Sequence, residues 1–205
     1  METSMSPHSK APVRGFTLIE VLVAITVFAV GLVMLGSLAA MALNGTAASR
    51  YRGMATTFAS EKLEDLNRYP SWDPHVCVSS GSTVGSLTSD VQLASVTCNG
   101  ITDTVDYYDD VAISDSAGQV CETVSSLSSG SEVYTSTCHT PAGATTTTTS
   151  GTSNAIDVGA IAFHRRWTIE MNEPITGIRR ITVLVTLENG YMNPPITVQE
   201  SAVRP

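Results

Sequence analysis

The stretch RGFTLIEVLVAITVF, residues 14–28, decides the architecture of this 205-residue chain. It places one carboxylate, Glu20, at the head of an apolar run, and residues 21–43 contain neither a charge nor a proline. A helix over that run would be about 35 Å long at roughly 1.5 Å per residue. The hydrocarbon core of a bilayer is about 30 Å thick, so the sequence predicts a membrane-spanning helix with some tilt.

Two other kinds of apolar segment fit this stretch less well. A secretory signal peptide has a shorter apolar region, and its small-residue cleavage site follows that region. Here the small residue Gly15 precedes the run. An ordinary single-span anchor would account for the length of the run, but it would leave Glu20 unexplained.

The position of Glu20 points to a partner outside its own helix. A carboxylate at the centre of a membrane costs about 2.5–3.5 kcal/mol on insertion scales, and less near an end. A cut between Gly15 and Phe16 would create an amine four residues before Glu20, and the amine of a neighbouring chain could neutralise this carboxylate. Glycine at the junction would let a protease approach the backbone closely. The alternative, a solvated interfacial Glu20, leaves the Gly-Phe junction unexplained.

The segment RGFTLIEVLVAI resembles the class III signal of type IV pilins and type II secretion pseudopilins. The resemblance implies that a prepilin peptidase removes a leader ending at Gly15 and that Phe16 is then amino-methylated. Glu20 would be the fifth mature residue, which in that family neutralises a neighbour's amino terminus during assembly. Many major pilins carry proline at the twenty-second mature position; Ser37 stands there in this chain, and two nearby glycines could soften the helix.

A helical period continues over residues 47–69 and predicts a second, amphipathic stretch. Its apolar stripe consists of Ala47, Tyr51, Met54, Ala55, Phe58, Ala59, Leu63 and Leu66. Tyr69-Pro70 should end the helix, because a residue before proline avoids the helical region. We expect the stripe to pack on a sheet from the carboxy-terminal third.

The carboxy-terminal third predicts that sheet. VGAIAFHRRWTIEM (residues 158–171) is rich in strand formers, and IRRITVLVTLE (178–188) alternates apolar and polar residues after the turn EPITG. The two form an antiparallel hairpin or neighbours in a meander, with ITVQES as an edge strand and Trp167 capping the core. RRWTIE and GIRRITVLVT also resemble PilV-type minor pilins, the type IV pilus modification group, which favours a minor over a major pilin.

The region between helix and sheet, residues 71–157, is rich in Ser, Thr, Gly and Asp and predicts a loop-dominated insert held by disulfides. GATTTTTSGTS within it is low-complexity and predicts a mobile segment, whereas VQLASVTC and SEVYTSTC are candidate strands. All four cysteines lie here: Cys77, Cys98, Cys121 and Cys138. An even count without CxxC spacing suggests disulfides and an oxidising compartment. Three connectivities are open, and loop-closure entropy favours pairing of sequence neighbours.

Charge argues against several classes of function. The net charge of -8 disfavours nucleic acid as a partner. The acidic segment DTVDYYDDVAISDS makes Asp106, Asp109 and Asp110 weak calcium candidates, but its spacing is not that of an EF-hand, and a solvated acidic loop is the preferred interpretation. No HExxH or GxSxG motif occurs, so neither a metal, a cofactor nor an enzyme activity is predicted. An ion-pair network is expected among Arg165, Arg166, Arg179, Arg180, Glu170, Glu173 and Glu188.

The predicted fold is therefore α+β: a long amino-terminal helix packed on a small antiparallel sheet, with a disulfide-containing insert. The expected divisions are a leader (1–15), an apolar helix (16–43), an amphipathic helix (44–70), the insert (71–157) and the sheet (158–205).

Together with this organisation, the two resemblances imply a minor pilin of a type IV pilus, held by one span in the bacterial inner membrane with a cytoplasmic amino terminus before it joins the filament. Expected partners are other pilins, prepilin peptidase and the inner-membrane assembly platform. A minor pseudopilin of type II secretion is one alternative. A pilus-tip adhesin that binds through the insert is another.

Overall fold

A computed structural model describes residues 15–78, 82–91, 93–113, 119–128, 131–150, 161–188 and 195–205. The chain divides into two compact units, residues 1–46 and 47–205. Of the leader predicted over residues 1–15, Gly15 alone lies within the described residues.

One helix, α1, covers Leu18–Arg68, and it ends directly before Tyr69-Pro70 as predicted. It runs without interruption through Ser37, so neither that residue nor the nearby glycines break it. The part of α1 in the first unit is apolar, and its large apolar side chains are exposed. By length and composition this helix can cross a membrane.

The second unit contains the rest of α1 and ten strands. The strands are β1 Thr83–Gly85, β2 Ala94–Cys98, β3 Ile101–Val105, β4 Tyr108–Ile113, β5 Val120–Ser128, β6 Ser131–His139, β7 Thr145–Ser150, β8 Ile161–Met171, β9 Arg179–Leu187 and β10 Thr197–Arg204. The larger sheet has the order β10-β9-β8-β4-β5-β6-β7, with β1 paired to β8, while β2 and β3 form a separate pair. Each of these pairings is antiparallel.

The predicted carboxy-terminal sheet is confirmed. Strands β8 and β9 are antiparallel neighbours, and β10 adds to β9 at the edge of the sheet. The far side of β8 pairs with β4 and then with β1, so β8 has a hydrogen-bonded neighbour along both of its sides. The predicted start of this strand, residues 158–160, lies outside the described residues.

The middle region is richer in strands than its composition predicts. Strands β1 to β7 all lie within residues 71–157, and the threonine run expected to be mobile is β7, paired with β6. The candidate strands VQLASVTC and SEVYTSTC are confirmed as β2 and β6. Hydrophobic alternation marks a strand that is buried on one face, and the described side chains of β7 are exposed. Threonine still favours extended backbone, because its branched side chain suits a pleated surface.

The core of the second unit lies between α1 and the sheet. Ala55, Phe58, Ala59 and Leu66 of the predicted stripe are buried, and Phe58 meets Phe163 of β8 with ring centroids 5.3 Å apart. Trp167 is also buried in this cluster, as predicted. Gly85 of β1 is required beside it, since a Cβ there would lie 2.2 Å from the carbonyl oxygen of Trp167.

Candidate functional site

Thr17 caps the amino-terminal end of α1. Its carbonyl accepts the backbone N–H of Glu20 at 3.1 Å and that of Val21 at 3.3 Å, and its Oγ1 lies 3.4 Å from the N–H of Glu20. Glu20 is therefore the third helical residue after the cap, the position that glutamate or glutamine takes in a capping box. The sequence pattern Thr-x-x-Glu carried this signal, and the sequence analysis missed it.

The predicted cleavage junction lies just outside the helix. Gly15 and Phe16 have irregular backbone before α1 begins at Leu18. The Phe16 side chain is 81% exposed, and a Cβ added at Gly15 would meet no atom within 4 Å. Exposed, irregular backbone is where proteolysis concentrates. A protease can therefore reach the peptide bond between Gly15 and Phe16, as the predicted cleavage requires.

Glu20 lies on an apolar face of α1. The surrounding apolar side chains are Phe16, Val21, Ala24, Ile25 and Phe28; of these, Phe16 and Ala24 lie one helical turn from Glu20 and Phe28 lies two turns away. Within residues 15–205, apart from the gaps in the described ranges, no basic side chain forms an ion pair with Glu20. Glu20 thus lies at the start of the apolar segment, and no cation of the described residues neutralises it.

The hydroxyl groups of the apolar segment, by contrast, are satisfied within α1. Thr26 and Ser37 each donate to a carbonyl one turn earlier, at 2.8 Å, and Thr46 donates to the carbonyl of Ala42 at 2.6 Å. Such bonds let a hydroxyl sit in an apolar environment without an unmet donor. Glu20 differs from these residues because a charge needs a counter-charge as well as a hydrogen bond.

A second carboxylate, Asp109 of β4, is fully buried between α1 and the sheet. It accepts from Arg165 Nε at 2.5 Å and Nη2 at 2.8 Å, and Lys62 Nζ lies 2.9 Å away. Arg165 also contacts Glu122, and Lys62 Nζ sits 4.2 Å from the centroid of the Trp167 ring. Burial raises the pKa of Asp109, but the two cations outweigh burial and hold the pKa below its ordinary value.

Over residues 103–113, the acidic segment is not the solvated loop that was predicted; residues 114–116 lie outside the described ranges. Asp109 and Asp110 are buried in strand β4, and Asp106 accepts the backbone N–H of Tyr107 at 2.8 Å. Adjacent residues of a strand point to opposite faces, so Asp109 faces Lys62 while Asp110 faces His164. The three calcium candidates therefore do not converge on one ion. Burial is possible because each aspartate meets a base from a distant part of the chain.

The cluster around His164 lies on the other face of the sheet. His164 Nδ1 contacts Asp110 and is 3.9 Å from Glu188, while its Nε2 is 2.7 Å from Asp90. Arg166 Nε donates to the same Asp90 oxygen at 2.7 Å. Burial lowers the pKa of His164, but the aspartates outweigh burial and raise it. Burial, reinforced by Asp110, raises the pKa of Glu188.

The predicted arginine network is present, but most of its partners differ from those expected. Arg180 pairs with the predicted Glu170 at 2.7 Å. Arg165 and Arg166 instead pair with aspartates that precede β8 by many residues. Pairing of β4 with β8 brings Asp109 to Arg165, and the irregular segment after β1 places Asp90 beside Arg166, so neither partner follows from the sequence of the carboxy-terminal third alone.

Two further arginines lie at the carboxy-terminal end of α1. Arg204 donates to the carbonyls of Asn67 and Tyr69, both at 2.8 Å, and Arg179 donates to the carbonyl of Ser71 at 3.1 Å. Cations near the end of a helix bind its unpaired carbonyls and complement its dipole. These contacts tie the end of α1 to β9 and β10.

The cysteines form two disulfides between sequence neighbours, which is the connectivity favoured by loop closure. Cys77 bonds Cys98 and so joins the segment after α1 to the β2–β3 hairpin, whose turn Asn99-Gly100 has positive φ at both residues. Cys121 bonds Cys138, its direct partner in the β5–β6 register. The Asn-Gly pair was a hairpin signal that the sequence analysis missed.

Comparison with known proteins connects the amino-terminal geometry to a family of signals. Residues 10–36 match the family described as the prokaryotic N-terminal methylation motif. No curated protein and no solved structure matches the chain. The matched residues include the Gly15-Phe16 junction, the Thr17 cap and Glu20. The chain therefore carries a type IV pilin-like signal at the head of a helix that is able to cross a membrane.

Proposed function

We propose that this chain is a minor pilin, a structural subunit incorporated into a type IV pilus. Prepilin peptidase would cleave between Gly15 and Phe16, and Phe16 would then be amino-methylated. One observation carries the proposal: the matched methylation motif continues into the exposed apolar part of α1, residues 18–46, and Glu20, the only carboxylate of that part, has no ion-pair partner among the described residues.

Before assembly, the apolar part of α1 anchors the subunit in the inner membrane. Basic residues lie on both sides of the span, so charge alone does not orient it. The two disulfides support an orientation with the second unit in the oxidising periplasm and the amino terminus in the cytoplasm.

During assembly, the apolar helices of neighbouring subunits pack together, and the assembly platform extracts each subunit from the membrane. The amine of Phe16 in one subunit pairs with Glu20 in the next. An unpaired carboxylate at the centre of an apolar helix costs about 2.5–3.5 kcal/mol on insertion scales, so the pair favours one axial register over the others. This role is assembly, and no chemical step on a substrate is involved.

The experiment that tests this role separates the charge of Glu20 from its place in the capping box. Glu20→Gln keeps a side chain that functions in a capping box but removes the charge. We expect normal cleavage and membrane insertion, with filament incorporation reduced about tenfold or more, since each 1.4 kcal/mol is a factor of ten. Sheared fibres and membranes are compared by immunoblot, and mass spectrometry reads the mature amino terminus.

Thr17→Ala is the matched control, because it removes the cap and keeps the carboxylate. It should enter filaments far better than Glu20→Gln. Wild-type incorporation of Glu20→Gln would contradict the register role, and equal loss in both variants would assign Glu20 to helix capping instead. Uncleaved chain in the filament would refute the proposal as a whole.

A minor pseudopilin of type II secretion would use the same helix and the same carboxylate. The two machines differ in where the subunit ends up: a pilin occurs in surface fibres, whereas a pseudopilin stays in a short periplasmic complex. Detection of the chain in fibres sheared from cells, with an inner-membrane marker protein retained in the cell pellet, distinguishes them.

A further inference from the structure

We propose that Asp110, His164 and Glu188 form a binding site for Zn²⁺ on the face of the sheet opposite α1. The face is assigned by strand alternation. Phe163 contacts Phe58 of α1, and Arg165 binds the same Asp109 carboxylate as Lys62 of α1, so His164 between them points the other way. This inference goes beyond filament assembly, in which none of these residues takes part.

The three side chains converge from different elements. Asp110 lies on β4, His164 is its register partner on β8, and Glu188 directly follows β9. One ligand atom from each lies within 4.8 Å of the other two. Because strand pairing rather than sequence spacing brings the ligands together, no motif such as HExxH marks the site.

A hydrogen-bond chain behind His164 prepares its ring for a metal. Asp90 lies 2.7 Å from Nε2 and accepts a second bond, also 2.7 Å, from Arg166 Nε. Nδ1 is hydrogen-bonded to Asp110, so a metal ion would replace the proton between these two atoms while the bond from Nε2 to Asp90 stays in place. A carboxylate that orients a metal-binding imidazole in this way is the usual outer partner of a histidine ligand.

The donor set favours zinc over calcium or magnesium. Calcium takes six to eight oxygen ligands and magnesium prefers six, whereas imidazole nitrogen with two carboxylates suits Zn²⁺. Three protein ligands leave a fourth tetrahedral position open. The side chains of Glu188 and Asp90 are 42% and 45% exposed, so an ion can enter from solvent.

The test uses the full chain in detergent micelles, with Co²⁺ as a spectroscopic probe and Zn²⁺ as the competitor. We expect the wild type to bind one equivalent of Co²⁺ with visible absorption bands and to release it to Zn²⁺. Glu188→Gln removes an exposed ligand and should weaken Zn²⁺ binding at least tenfold. Asp90→Asn keeps all three ligands and should weaken it about 10- to 100-fold through the imidazole.

Glu170→Gln is the matched control, since Glu170 lies on the same face of β8 and pairs with Arg180 outside the cluster. It should bind Zn²⁺ as the wild type does, and circular dichroism should show all variants folded. Failure of the wild type to bind Zn²⁺, or equal affinity in all the variants, would overturn the proposal. Displacement of Co²⁺ by equimolar Ca²⁺ would contradict the choice of zinc.

Discussion

Two carboxylates of this chain, Glu20 and Asp109, lie in apolar surroundings, where a charge is unfavourable, but only Asp109 is paired with cations among the described residues. Asp109 is buried in the second unit, where Lys62 and Arg165 of the same chain neutralise it. Glu20 begins the apolar helix of the first unit, and no ion pair to it occurs within the described residues. A charge removed from water needs a counter-charge. The comparison teaches that Asp109 is neutralised within its own chain, whereas Glu20 has no cation among the described residues.

The apolar side chains divide in the same way. In the second unit, the apolar stripe of α1 is buried against the sheet. In the first unit, the apolar side chains of α1 are exposed along its length. Exposed apolar surface on this scale marks a site of membrane or protein contact. The part of α1 in the second unit thus packs against the sheet, whereas its part in the first unit is available for association.

The largest expected effect is on the free energy of unfolding of the second unit. Asp109→Asn leaves the buried Arg165 and the partly buried Lys62 without their shared carboxylate, and breaking a buried pair typically costs about 3–5 kcal/mol. Chemical unfolding of the full chain in detergent, followed by circular dichroism and by the fluorescence of buried Trp167, measures the loss. Asp103→Asn, the same change at an exposed aspartate, should shift the free energy of unfolding by less than about 0.5 kcal/mol.

An Asp109→Asn variant as stable as the wild type would show that the buried charges do not hold the second unit together. A comparable loss in Asp103→Asn would attribute the effect to general acidity rather than to the buried pair.

The next effect compares two leucines of α1. Leu66 is 3% exposed in the core of the second unit, and Leu35 is 64% exposed in the first unit. Leu66→Ala should cost about 2–5 kcal/mol of unfolding free energy, because it removes buried methyl groups and leaves a cavity. Leu35→Ala should change it by less than about 0.5 kcal/mol in the same unfolding assay. Equal losses would mean that Leu35 packs within the folded monomer.

Periodicity explains which elements could be predicted from the sequence. The stripe around Phe58 repeats at the helical period and faces the sheet, while β9 alternates because one of its faces is buried. The Thr17 cap and the Asn99-Gly100 turn were also predictable, because the Thr-x-x-Glu pattern and the Asn-Gly pair are local sequence signals. Strand β7 carried no such signal, because its described side chains face solvent.

The charge clusters could not be predicted from local sequence. Asp109 and Arg165 are 56 positions apart, and their contact depends on the pairing of β4 with β8. The composition of their segment predicted that Asp109 and Asp110 both lie in a solvated acidic loop. A strand puts neighbours on opposite faces, so one of them joins Lys62 and the other joins His164.

The smallest expected effect is the pH dependence of the pair around Asp109. Lys62 and Arg165 hold the pKa of Asp109 below its ordinary value of 3.8, against the opposing influence of burial. The folded chain therefore binds this proton more weakly than the unfolded chain does. The contribution of Asp109 to stability is complete above pH 3.8 and is lost as the pH falls through the folded pKa.

Consequently, the gap in unfolding free energy between the wild type and Asp109→Asn should be constant near neutral pH and should narrow in acid. One proton limits the slope to about 1.4 kcal/mol per pH unit. Unfolding titrations of both proteins at matched pH values measure the gap, and the unchanged carboxylates cancel in the difference. If the difference in unfolding free energy widened in acid, the ion-pair account would be contradicted. A widening is expected when burial alone raises the pKa of a carboxyl group.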